Sequence, residues 1–146
     1  MKLLIQRVNK ASVNINGRTH SQINKGLLIF LGIEKGDTSE CSKWLIEKIL
    51  KLRIFEDENE KMNLSIKDVN GEIMVVSQFT LAGNCKKGTR PSFDNAEIPQ
   101  KANEIYEEFC KHLSNSINIK TGVFGAMMQI ELINDGPVTF ILEKKP

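Results

Sequence analysis

The sequence predicts an α+β fold: one compact domain over residues 1–146, with a mixed or antiparallel β-sheet curved as a half-barrel and two main helices packed on it. Three observations predict this. Strand-like segments open and close the chain, only two amphipathic helical patterns lie between them, and no strand–helix–strand unit visibly recurs, which argues against a doubly wound nucleotide fold. The length of 146 residues fits a single domain. A composition of 40% hydrophobic and 26% charged residues is ordinary for a globular protein and excludes intrinsic disorder.

Leu3 to Val8 and Ala11 to Ile15 are apolar or alternating, as strands are, and Asn16-Gly17 is a dipeptide that tolerates positive φ in a tight hairpin turn. Leu27 to Leu31 is continuously apolar, which suits a strand covered on both faces. Thr38 or Ser39 then caps a helix whose Cys41, Trp44, Leu45, Ile49 and Leu52 recur at three- and four-residue intervals. After an acidic loop, Glu72 to Leu81 reads as another buried strand, and residues 82–95 hold the glycine, proline and basic side chains of a long loop. Loops of that length in small domains tend to be functional. A second helix is predicted over Pro99 to Leu113, with Ala102, Ile105, Tyr106, Phe109 and Leu113 on one face. Met127 to Ile133 and Val138 to Leu142 form the last two predicted strands, joined by a turn at Asn134-Asp135-Gly136-Pro137.

Charge narrows the function. Twenty basic and 18 acidic residues leave +2, too little for a non-specific polyanion binder, so any nucleic-acid contact is local. No apolar run approaches the ~18–20 residues of a membrane span, and the opening Met-Lys-Leu-Leu-Ile-Gln-Arg turns polar too early for a signal peptide. A cytoplasmic protein is expected. Cys41, Cys85 and Cys110 are odd in number and widely spaced, which predicts neither a disulfide framework nor a structural metal site.

The usual catalytic templates fit poorly. His20 follows the hairpin and His112 lies near a helix end, positions typical of solvated imidazoles. No Gly-x-Ser-x-Gly elbow presents a nucleophile, and Gly32 to Gly36 lacks the Gly-Lys-Ser/Thr ending of a phosphate loop. Two segments resist explanation as packing. Ser77-Gln78-Phe79-Thr80-Leu81 places hydroxyls and an amide at the end of an apolar strand, where burial demands hydrogen-bond partners; the ordinary alternative is a strand terminus that satisfies its own backbone. Gly136-Pro137 is the other, by itself a turn signal.

At these residues the chain resembles the D-aminoacyl-tRNA deacylase family. The resemblance runs through Leu4-Ile5-Gln6-Arg7-Val8 with Ala11-Ser12-Val13, Gly26-Leu27-Leu28, Arg53-Ile54-Phe55, Lys61-Met62-Asn63-Leu64, Val75-Val76-Ser77-Gln78-Phe79-Thr80-Leu81, Arg90-Pro91-Ser92-Phe93 and Asn134-Asp135-Gly136-Pro137-Val138-Thr139-Phe140. Each block is weak alone; their joint order over essentially the whole chain is specific. One departure is Met127, where the family usually has an acidic residue.

The resemblance implies a homodimer that hydrolyses the ester joining a D-amino acid, and in some cases glycine, to the terminal adenosine of tRNA, with no cofactor and no metal. It implies that Gly136-Pro137 is a cis peptide reaching into the other subunit's pocket, where its carbonyl groups meet the substrate amine. Proline makes this cheap, since an X-Pro bond prefers trans by only ~0.5–1 kcal/mol. An L side chain would then meet protein, whereas glycine has nothing to exclude. The Ser77, Gln78, Phe79 and Thr80 block becomes the other wall, with the amides of Phe79 and Thr80 facing the oxyanion and the tRNA 2′-hydroxyl helping to activate water. Arg7 matches the arginine that holds the Gly-Pro turn, its alternative being a surface arginine at a strand end. Lys86, Lys87 and Arg90 become candidates for tRNA phosphates, the alternative being a solvated basic loop. Two rival readings are a covalent hydrolase with Thr80 or Ser77 as nucleophile and a non-catalytic RNA-binding module built on residues 83–93.

Overall fold

A computed structural model describes residues 1–146. Its main sheet comprises β1 (Lys2–Ile15), β2 (Arg18–Ile23), β3 (Gly26–Gly32), β6 (Glu72–Ser77), β7 (Ile119–Thr121) and β8 (Gln129–Glu143). The order is β2-β1-β3-β6-β7, with β8 pairing on β1. The short strands β4 (Phe55–Glu56) and β5 (Met62–Leu64) form a separate hairpin. Helices α1 (Ser39–Lys51) and α2 (Pro99–Ser114) complete the α+β domain.

Both faces of the sheet are apolar, and this explains the uninterrupted hydrophobic run in β3. Leu27, Ile29 and Leu31 join the larger core with Leu45 and Ile49 of α1 and Phe109 and Leu113 of α2. Leu28 points the other way, into a second core with Val8, Val13, Met74 and Val76 inside the curl of the sheet. Period-two alternation thus feeds two cores from one strand. The buried Tyr106 hydroxyl donates to the Val75 carbonyl at 2.9 Å and ties α2 to β6. The curl is laced by the Ser21 hydroxyl of β2 donating to the Thr121 carbonyl of β7 at 2.7 Å. Cys41 and Cys110 are buried and Cys85 is exposed, all as free thiols.

Several details differ from the sequence-based expectations. Strand–helix–strand units do recur: β3 and β6 are parallel neighbours joined through α1, and β6 and β7 are parallel neighbours joined through α2. The brevity of β7 and the intervening β4–β5 hairpin hide this pattern. β1 is one strand of 14 residues rather than two. Trp44 is 42% exposed instead of facing the core, its ring flanked by the Lys48 and Lys144 ammonium groups at 5.8 and 5.6 Å, an attractive cation–π arrangement. Thr38 occupies the N-cap of α1 without a side-chain capping bond. Finally, Asn134 to Pro137 is not a turn between two strands, because β8 runs through it continuously.

The register explains this last point. Gln6 of β1 pairs with Thr139 and Val8 pairs with Asn134, so Asp135 to Val138 bulge out opposite the single residue Arg7. Asn134 bridges the bulge with its side chain, accepting from the Val138 amide at 2.7 Å and donating to the Val138 carbonyl at 3.2 Å. A side chain here replaces the missing ladder bonds, and the Gly-Pro signal is absorbed into a bulged strand.

Candidate active site

The strand ending in Ser77 stops earlier than its sequence suggests. Gln78 donates its amide to the Leu31 carbonyl at 2.9 Å, and the chain then tightens into a 3₁₀ turn over Phe79–Ala82. Phe and Thr favour strands, so composition does not announce this turn. Close packing does: a Cβ on Gly32 would lie 2.7 Å from the Leu81 Cβ and 3.2 Å from the Gln78 carbonyl. The turn is therefore seated against a bare backbone. Its leading amides, those of Phe79 and Thr80, have no acceptor within such a turn, and neither donates to a turn or loop carbonyl.

Beside this turn lies an open groove of about 720 Å³, within the range of small-molecule sites. Ser77, Gln78 and Phe79 form one wall, Ala96 to Pro99 at the start of α2 form another, and Phe124 to Met128 close the third. The Phe79 and Phe93 rings meet edge to face with centroids 5.1 Å apart. Met127 is 91% exposed at the rim. Thr80 adjoins the groove without lining it; its hydroxyl accepts a hydrogen bond from the Gln78 side-chain amide.

Charge is sparse here. Only Lys35 and Glu97 among the lining side chains are ionic. The Glu97 carboxylate accepts from Lys101 Nζ at 2.8 Å and from the Ile98 amide at 3.0 Å. First the Lys101 bond and then the Ile98 amide hold its acidity below the ordinary carboxylate range, so it is a weak base. Neither histidine lines the groove. A hydroxyl nucleophile needs an adjacent base, and Ser77 and Thr80 have none here.

Arg7, Gly136 and Pro137 lie elsewhere in the same chain. Arg7 is only 3% exposed. Its Nε donates to the Asp135 carbonyl at 3.0 Å and one terminal nitrogen donates to the Ile54 carbonyl at 2.8 Å. The Asp135 and Glu56 carboxylates stand 3.3 and 3.5 Å away and balance its charge. The guanidinium fork, with several donors in fixed directions, thus pins the base of the bulge. Gly136-Pro137 is a cis peptide with Gly136 at φ 142°, and both residues are exposed. Leu31 pairs with both Leu3 and Ser77, while Arg7 pairs with Leu27. The bulge therefore lies four residues along β1 from the level of Ser77, about 13 Å, and three strand spacings across the sheet. One chain does not bring the Ser77–Thr80 and Gly136-Pro137 segments together.

Lys86, Lys87 and Arg90 occupy an exposed loop pinned at its neck, where Asn84 and Ser92 exchange backbone bonds of 2.8 and 3.0 Å. None of the three lines the groove. Sequence reasoning missed Lys35, Glu97 and Phe124 as lining residues. They come from three separated loops, and only their proximity to Gly36, Pro99 and Gly125 hinted at irregular backbone.

Comparison with known proteins accords with the spacing of the blocks. The family model described as D-Tyr-tRNA(Tyr) deacylase matches residues 4–143. A protein named D-aminoacyl-tRNA deacylase from Thermodesulfovibrio yellowstonii is 59% identical, covering 99% of this chain and 100% of its own. One of the same name from Persephonella marina is 57% identical, with 99% of each chain covered. Among solved structures, a c-Myc DNA Unwinding Element Binding Protein superposes with a TM-score of 0.95 at 41% identity over 100% of both chains. A probable eukaryotic D-amino acid tRNA deacylase shares the fold at a TM-score of 0.81, with 16% identity and 97% of each chain covered.

Proposed function

Since the chain belongs to the D-Tyr-tRNA(Tyr) deacylase family, we propose that it is a D-aminoacyl-tRNA deacylase, cutting the ester between a D-amino acid and the terminal adenosine and releasing free tRNA. The observation that carries the mechanism is a groove with two unengaged amides and no nucleophile–base pair. The amides of Phe79 and Thr80 stabilise the tetrahedral oxyanion, where such donors are worth ~2.7–4 kcal/mol each in acyl transfer. The ribose 2′-hydroxyl of the substrate assists the attacking water, so no protein side chain need serve as base. An aminoacyl ester is already labile, and positioning supplies much of the remainder.

Chirality is read by a second copy of the chain. The exposed Gly136-Pro137 bulge is too far from its own groove to reach it, and Arg7 holds it out rigidly. In a homodimer, the carbonyl groups of the bulge enter the partner's groove, bind the α-amino group and fill the direction an L side chain would take. Glycyl-tRNA, lacking a side chain, is tolerated. β8 supports such pairing: it is bonded only to β1 and carries exposed Ile133, Phe140 and Ile141, an apolar edge of the kind that pairs with another chain. Lys86, Lys87 and Arg90 meet acceptor-stem phosphates, and the enzyme works in the cytoplasm where its substrate is.

The covalent alternative is disfavoured because the Thr80 hydroxyl already accepts from Gln78 and no imidazole lines the groove. Paired discharge assays of D- and L-tyrosyl-tRNA test the proposal. Hydrolysis of the D ester far above the L ester is expected, with loss of activity on tRNA ending in 2′-deoxyadenosine; equal rates on D and L esters would refute it.

A further inference from the structure

Lys35 is the one cation lining the groove, and it forms no direct salt bridge with a carboxylate. It sits on the loop between β3 and α1, next to Gly36 at φ 87°, and its backbone amide donates to the Asn95 carbonyl at 2.9 Å, which fixes the loop against the approach to α2. Its side chain is exposed and makes no ion pair. The nearby carboxylates are occupied. Glu97 is bound by Lys101 at 2.8 Å, Glu34 faces Lys2 Nζ at 3.1 Å, and Asp37 is buried against the Met1 amine. The remaining lining is mostly apolar, with Phe79, Phe93 and Phe124 offering ring surface. An apolar bed with one cation that makes no direct salt bridge fits an uncharged nucleoside with an anion at one end.

Position identifies the anion. β3 and β6 are parallel, so Lys35 and the Ser77–Thr80 turn leave the sheet at the same end. Lys35 lies three residues beyond Gly32, within about 10 Å by chain reach, and shares the groove with Ser77 and Gln78. In the substrate, the terminal adenosine carries its ester on one side of a single ribose and a phosphate on the other. From this juxtaposition, and resting on the deacylase reading above, we infer that Lys35 binds the 5′-phosphate of the terminal adenosine. The phosphodiester is thereby gripped by a groove residue, separately from contacts made by Lys86, Lys87 and Arg90 on their outer loop.

Truncated substrates isolate this contact. The test compares 3′-O-D-tyrosyl-adenosine with the same ester carrying a 5′-phosphate, both hydrolysed by wild-type protein, Lys35→Ala and Lys35→Arg. The wild type is expected to prefer the phosphorylated ester in kcat/KM by roughly fivefold, the scale of one solvent-accessible charge pair. Lys35→Ala brings that preference close to one, and Lys35→Arg retains it. With whole D-tyrosyl-tRNA, Lys35→Ala raises KM and flattens the log–log salt dependence by about 0.7, the loss of one single-strand phosphate contact. An unaltered phosphate preference in Lys35→Ala, or none in the wild type, would overturn the assignment while leaving deacylation intact. A wild-type protein inert toward every D-tyrosyl ester but properly folded would overturn the deacylase reading and this assignment together.

Discussion

At the scale of single residues, the most consequential side chain outside the groove is Arg7. It is buried, yet each of its three nitrogens faces an acceptor: the Asp135 and Ile54 carbonyls and the carboxylates of Glu56 and Asp135. Burying a charge is costly unless it is paired and hydrogen-bonded. Lysine keeps the charge but has no planar fork, so it cannot serve strand β8 and the β4–β5 hairpin together. Arg7→Lys is expected to lower unfolding free energy by about 2 kcal/mol in urea titrations and to reduce the ratio of D- to L-tyrosyl-tRNA discharge. Retention of the full ratio would separate Arg7 from the bulge's function.

Two elements govern the groove. The 3₁₀ turn over Phe79–Ala82 packs onto Gly32 so closely that a methyl group there would collide with Leu81. Gly32→Ala should displace the turn and its two free amides; a drop in kcat of roughly a hundredfold is expected if one oxyanion donor is lost, with far-ultraviolet circular dichroism unchanged. The second element is the start of α2, whose N-cap Ile98 has no capping side chain of its own. Glu97 supplies the acceptor for the Ile98 amide and binds Lys101 on the next turn. Its folded pKa is depressed, so its stabilising contribution is present above the unfolded carboxylate value and vanishes as pH falls through the folded one. Wild type and Glu97→Gln should therefore differ in Tm at neutral pH and converge in acid, which a thermal melt series across that window checks.

For the whole molecule, the separation of the bulge from its own groove makes a prediction about assembly. Gly136→Ala forces a side chain to within 2.6 Å of Val138 Cγ2 at a φ of 142°, which spoils the bulge; Gly32→Ala spoils the groove. Each variant alone is expected to be nearly inactive. In a two-fold dimer with crossed sites, a heterodimer of the two recovers one intact groove facing one intact bulge. Co-refolding equal amounts should then restore about a quarter of wild-type activity, since about half the dimers are mixed and each has one whole site. No recovery in a sample shown to contain heterodimers would rule out crossed sites.

The local and periodic features were legible in the chain. The extent of α2, the hairpin at Asn16-Gly17 with φ values of 51° and 75°, and the two-faced burial of β3 all follow from spacing and from glycine's tolerance of positive φ. The Ser77–Leu81 and Asn134–Phe140 segments were legible too, because a run of adjacent residues is visible without knowledge of the fold. Tertiary packing decided the rest. The end of β6 at Ser77, the continuity of β8 across Asn134 to Pro137, and the meeting of Lys35, Glu97 and Phe124 in one groove depend on contacts between residues far apart in sequence. Local propensity sums over neighbours along the chain, whereas a groove is made where parallel strands release their loops at one end, and only pairing across the sheet fixes which loops those are.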